Sequence, residues 1–192
     1  MFEMEFVSQK SDTYCGPASL KMLLGYYGVD VAFDTLIEEC HPSVDGCTAG
    51  DLLWVGYAHG LENMSAWQTD AEDVFKQDRP AILYWRRTHF LVYGGLNEKD
   101  EPVLYNPGRG VYAIDRGSFA ALFSGVMLCN GRPEDLPEPV PDNMLAKEDV
   151  AKGEHFIWRD AVWVALEAIP KGALIRPMRN CAQVALDTII NA

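Results

Sequence analysis

The sequence lacks any apolar run approaching the roughly 18–20 residues that a membrane-spanning helix needs. It also lacks a basic excess: 16 Lys and Arg stand against 28 Asp and Glu, for a formal net charge of -12. Phosphate backbones are held by basic faces, so no nucleic-acid partner is expected, and an anionic membrane surface is disfavoured. An acidic surface suits basic peptide segments, and it also keeps a protein soluble. The first ten residues, MFEMEFVSQK, are acidic and do not follow the charged-then-apolar order of a secretory signal. Together these features point to the cytoplasm. The five cysteines (Cys15, Cys40, Cys47, Cys129 and Cys181) are odd in number, scattered, and form no CxxC pair. A disulfide framework is therefore not expected. Cys40, His41 and Cys47 have zinc-like spacing but no fourth ligand, so neither a metal nor a cofactor is expected.

What is present is enough for a core. The chain has 192 residues, 48% of them apolar and 23% charged, which suits one domain with an appendage. Residues 17–27, PASLKMLLGYY, carry apolar side chains at 20, 23, 24 and 27, the spacing of a helix, with Pro17 in its first turn and Gly28 as its stop. FDTLIEEC (33–40) reads as a second helix. Thr48 is placed to cap a third, running to about His59 and ended by Gly60. The period then changes. PAILYW (80–85), HFLVY (89–93), PVLY (102–105) and VYAID (111–115) read as strands separated by tight turns. A short helix capped by Ser118 runs to Leu122, and a last strand covers 125–129. Helices followed by antiparallel strands define the α+β class. The division expected is a domain over 1–129, a linker over 130–143 rich in proline and acid, and a helical extension over 144–192 packed on the domain.

Four residues stand out for chemistry. Cys15 precedes Gly-Pro at the mouth of the first helix, where the partial positive charge of a helix N-terminus favours a thiolate. Of four histidines, His41 sits in a loop, His59 at a helix end and His155 in the tail. Only His89 opens a strand, where its imidazole stands at an end of the sheet. Asn106 closes the next strand in LYNPG, and an antiparallel turn brings it near His89, where its amide would orient the ring. Gln9 lies six residues before Cys15, and its amide would donate to an oxyanion. Taken singly, each has a plainer reading: a buried thiol, a surface imidazole, a turn asparagine, a solvated glutamine. Their order along the chain is what joins them.

That order resembles a known family. Q-x5-C-G-P-A-S-L-x-M-L-x-x-Y-Y-G, then W-x-x-x-H-F-x-V-Y-G-G, then N-P-G-x-G and F-x-x-x-F-S-G-V-x-L resemble the double-glycine leader peptidases over residues 5–129. These are papain-like cysteine peptidases of bacteriocin export systems, often fused to ABC transporters. The resemblance implies a helical half packed on an antiparallel sheet, with Cys15 as nucleophile, His89 as general base and acid, and Gln9 as oxyanion donor. Asn106 falls where the family usually has aspartate, a departure that would stabilise an imidazolium less. No membrane segments or nucleotide-binding cassette follow residue 129, so a stand-alone member is expected. The resemblance implies cleavage of a peptide or protein substrate after small residues, such as Gly-Gly, through an acyl-enzyme. Narrow subsites would then be walled by aromatics such as Tyr14, Tyr57 and Trp85. Amide-bond transfer or an amidase on the same fold, or a papain-like domain that binds peptide without cutting it, are the alternatives.

Overall fold

A computed structural model describes residues 1–131 and the two-residue strand Leu174–Ile175. Helix α1, Cys15–Tyr26, is buried at nine of its first ten positions, with only Lys21 reaching out to Asp30 at 2.8 Å. It starts two residues before Pro17, earlier than the sequence pattern placed it, because Ala18 N–H already bonds Tyr14 C=O. Gly28, at φ +75°, ends it in the left-handed region, and Val29 N–H returns to Leu24 C=O. Helix α2, Phe33–Cys40, has the extent the sequence indicates. Helix α3, Ala49–Ala58, begins in a full capping box: Thr48 and Asp51 each accept the other's backbone N–H.

Two elements escape the sequence pattern. Strand β1, Met64–Gln68, and helix α4, Ala71–Phe75, fill the stretch after α3. Strands β2 (Ala81–Trp85), β3 (His89–Leu96), β4 (Pro102–Asn106) and β5 (Gly110–Ala113) follow, mostly within a residue or two of expectation. Helix α5 is Arg116–Leu122, and its cap is Asp115, not Ser118: Ser118 N–H donates to Asp115 Oδ1 at 2.8 Å. Strand β6, Phe123–Asn130, and strand β7, Leu174–Ile175, complete the set. The expected linker and helical extension lie outside the described residues, apart from β7, which pairs with β1.

Among the described residues the seven strands form one antiparallel sheet in the order β5-β4-β3-β2-β6-β1-β7. Both faces are covered, which explains the unbroken apolar runs in β2 and β3. Phe90, Val92, Val103 and Tyr105 face α1–α3. Leu91, Tyr93 and Leu104 face the other way, into a cluster with Phe75 of α4 and Phe119 of α5, whose rings lie 4.9 Å apart. Each of Leu20, Leu23 and Leu24 is fully buried, and such a side chain contributes about 1.5–3 kcal/mol on leaving water.

Two details of the sheet set the positions of later residues. The β2–β3 turn runs through Arg86 and Arg87, both left-handed at φ 53° and 57°, and Thr88 N–H closes it onto Trp85 C=O. This is the primed turn geometry that matches strand twist. Arg87 N–H is held by Ser124 Oγ at 2.8 Å. On β3, the register breaks between Tyr93 and Leu96. There Gly94 lies under the Tyr105 ring: a Cβ at Gly94 would meet ring carbons at 2.5 and 2.8 Å.

Gly94→Ala therefore forces a buried ring off its site. A loss of about 1–3 kcal/mol is expected, read as a lower urea midpoint with an unchanged m-value.

Candidate active site

Cys15 is the first residue of α1, and only 5% of its surface is exposed. The helix-start residue Tyr14 makes no side-chain cap. A helix start leaves several N–H groups unpaired. Here Pro17 has none to place, and the backbone groups of Cys15 and Gly16 act to lower the Cys15 pKa. The backbone of Phe90, on the strand packed against α1, acts in the same direction. Burial pushes the Cys15 pKa up, the Phe90 N–H opposes that, Cys47 adds to the rise, and the two helix N–H groups oppose it.

His89 is the first residue of β3, facing Trp85 across the turn, so the hydrogen-bonded Arg86–Arg87 bend sets its height at the sheet end. Asn106 is the last residue of β4 and is 4% exposed. His89 Nε2 and Asn106 Oδ1 are 2.9 Å apart. An amide oxygen only accepts, so Nε2 carries the proton and neutral His89 keeps a basic lone pair on Nδ1. Gly108 N–H donates to the same Oδ1 at 3.0 Å. Burial lowers the His89 pKa, the Asn106 hydrogen bond raises it in part, and the Arg109 charge lowers it further.

Gln9 belongs to an extended N-terminal segment tied along the sheet. Phe2 N–H bonds Gly94 C=O at 2.7 Å, and Gln9 N–H bonds Pro107 C=O at 3.0 Å. This brings the Gln9 amide to the Asn-Pro-Gly turn: a Cβ at Gly108 would lie 3.4 Å from Gln9 Oε1 and 3.6 Å from Asn106 Oδ1. Gln9 Oε1 is buried without a hydrogen-bond partner among the described residues. His89, Asn106 and Gln9 thus gather at the β4–β5 turn, and Cys15 starts the helix that packs against β3.

Other residues sort differently. Trp85 is core, its ring 5.2 Å from Phe119, and Tyr57 stacks on Trp54. Tyr14 keeps its place beside Cys15. Cys40 is the buried last residue of α2, while Cys47 packs against Gly16, where a Cβ would lie 3.5 Å from its sulfur. His59 pairs with Glu39 at 2.5 Å. Among the described residues no three His, Cys, Asp or Glu side chains come together as a metal site. Two contributors were not visible in the sequence. The Phe90 N–H is a backbone group. Tyr112, whose hydroxyl lies 3.1 Å from Asn106 Nδ2, is signalled only by strand alternation across the turn.

A thiol at the start of a buried helix, set against a sheet whose strand ends hold an imidazole and an amide, defines the papain-like class of α+β domain. The model of the Peptidase C39 family matches residues 3–134, and the chain belongs to that family. The colicin V secretion/processing ATP-binding protein CvaB of Escherichia coli is 26% identical over 122 residues, 64% of this chain and 17% of that protein. The chain therefore spans less than a fifth of that relative's length. An uncharacterized protein of Methanothermobacter thermautotrophicus is 26% identical over 132 residues, 68% of this chain and 92% of its own. Among solved structures, a double glycine motif protease from an AMS/PCAT transporter, crystallised with its leader peptide, aligns with a TM-score of 0.61 at 26% identity. That alignment covers 66% of this chain and 90% of the protease chain. No helix among the described residues is long and apolar enough to cross a membrane.

The two shifts have measurable signs. His89 is expected to titrate below the ordinary 6.5, and Asn106→Ala, which removes the bond that raises its pKa, to move the midpoint lower still; imidazole NMR titration reads both. Alkylation of Cys15 by iodoacetamide is expected to keep accelerating beyond pH 9.0, the ordinary thiol value, because burial holds the proton on.

Proposed function

We propose that the protein is a cysteine peptidase that cleaves a peptide or leader peptide after small residues, Gly-Gly being the favoured pair. Cys15 is the nucleophile, His89 the base and acid, Asn106 the group that orients the imidazole, and Gln9 a donor to the oxyanion. The observation that carries this reading is the His89–Asn106 bond, because it leaves a proton acceptor on His89 Nδ1 at the end of the strand that packs against α1. Family membership and the likeness to a double glycine motif protease support the substrate class.

Burial favours a neutral thiol and a neutral imidazole in the resting protein. In this reading the thiol proton moves to His89 Nδ1 as sulfur attacks the scissile carbonyl. The oxyanion that forms meets the helix-start N–H groups of Cys15 and Gly16, with the Gln9 amide swung toward them. The imidazolium then protonates the leaving amine, and water, activated by the neutral ring, releases the acyl group. Asn106 carries no charge, so it orients the ring without adding a counter-ion. A depressed His89 pKa suits this, because the ring need not stay protonated between steps.

Incubation of the full chain with a synthetic double-glycine leader peptide, followed by mass spectrometry, tests the proposal. Cleavage after Gly-Gly is expected, with Cys15→Ala inactive and His89→Ala slowed by about 10²–10⁴-fold. An intact peptide with no acyl group on Cys15 would overturn it, and an acyl group passed to an added amine in preference to water would redirect it to amide-bond transfer.

A further inference from the structure

The proposed triad uses an amide where a carboxylate would need no orienting. A carboxylate presents two equivalent oxygens. A carboxamide presents one acceptor and one donor, and turning it by half a rotation puts N–H against N–H. Asn106 must therefore be held one way round, and the fold supplies two groups of opposite polarity at its two ends. Gly108 N–H donates to Oδ1 at 3.0 Å. At the other end, Nδ2 lies 3.1 Å from the Tyr112 hydroxyl. An amide nitrogen cannot accept, so Nδ2–H donates and the tyrosine oxygen accepts.

The register explains how Tyr112 reaches this position. Asn106 pairs with Gly110 and Leu104 with Tyr112 across the β4–β5 hairpin. Residues two apart on a strand share a face, so Tyr112 is the diagonal neighbour of Asn106 on the same face, within reach of a long side chain. Its ring packs on the cluster that holds Leu104 and Phe119, which leaves the hydroxyl little freedom. Asn106 itself is 4% exposed, so water is a poor substitute partner for Nδ2.

Resting on the peptidase reading, we propose that Tyr112 is a positioning residue that locks the Asn106 amide with Oδ1 toward His89, replacing by hydrogen-bond polarity what a carboxylate would supply by symmetry. Tyr112 touches neither the thiol nor the imidazole in this role. It acts through Asn106 alone, and its effect must depend on whether residue 106 is an amide.

That dependence is the test. Tyr112→Phe keeps the ring and removes only the acceptor. In the Asn106 protein it frees the amide to turn, so the His89 midpoint is expected to fall and its Nε2 proton to exchange faster, both read by imidazole NMR. In an Asn106→Asp protein the tyrosine hydroxyl instead donates to the carboxylate. Removing it there returns charge to His89, so the midpoint is expected to rise. A shift of the same sign in both backgrounds, or none in the Asn106 background, would overturn the proposal. A packing defect gives no such reversal. On a double-glycine leader peptide, Tyr112→Phe is expected to lower kcat about tenfold with KM unchanged. The wild-type protein gives a second reading that needs no variant: the Asn106 carboxamide protons should be resolved and slow to exchange, and rapid exchange of both would also overturn the assignment. Failure of wild-type cleavage would count against the peptidase reading only, because the titrations stand without turnover.

Discussion

A buried helix must dispose of the N–H groups at its start, and α1 does so where water cannot help. Most of its first ten residues are buried and its N-terminus has no side-chain cap. Ser, Thr, Asp or Asn is the usual remedy, as at Thr48 for α3. Here a tyrosine stands in that position, a proline removes one donor, and the backbone of Cys15 and Gly16 acts to lower the thiol pKa. The same placement sets α1 against β3, and the Phe90 backbone adds to the lowering from the sheet side. The donors left unpaired at the helix start and the environment of the thiol are one arrangement. Any conventional cap would compete with it.

The imidazole side of the site is governed by a second polarity rule. His89 and Asn106 lie on neighbouring antiparallel strands, and the N-terminal segment is sewn onto the adjoining turn through Pro107 C=O. Gly108 contributes a donor with little room above it. The outcome is a ring with a defined tautomer and a pKa held below the usual histidine range by burial, with an amide as its hydrogen-bond partner.

Much of this was legible in the sequence. Apolar spacing in the first helix, the Thr48 cap and the aromatic and β-branched runs gave elements close to those observed, and the sequence order singled out His89, Asn106 and Gln9, which lie together at the β4–β5 turn. The reasons for the misses are physical. The stretch MSAWQ is a strand because β6 pairs with it along its whole length, a long-range cause that local propensity does not carry. Asp115 outcompeted Ser118 as a cap because its carboxylate accepts both the backbone N–H and the hydroxyl of Ser118. The left-handed Arg86 and Arg87 are invisible locally, since arginine is no turn signal, and neighbouring hydrogen bonds hold the bend. Tyr112 could be found only once the hairpin register was known.

The place of β6 has a consequence for synthesis. Among the described strands it is the last long one, yet it lies between β2 and β1, which touch each other only through it. A chain emerging from the ribosome therefore carries the β2–β5 fragment and an unjoined β1 until about residue 130 has cleared the exit tunnel. One fragment holds the imidazole and the amide; the other underlies α3. Because α1 spans both by packing on β2, β3 and α3, its buried start acquires a complete surrounding only when that late strand slots into the middle. The thiol, among the first residues made, thus waits for nearly the last of the domain before its environment exists.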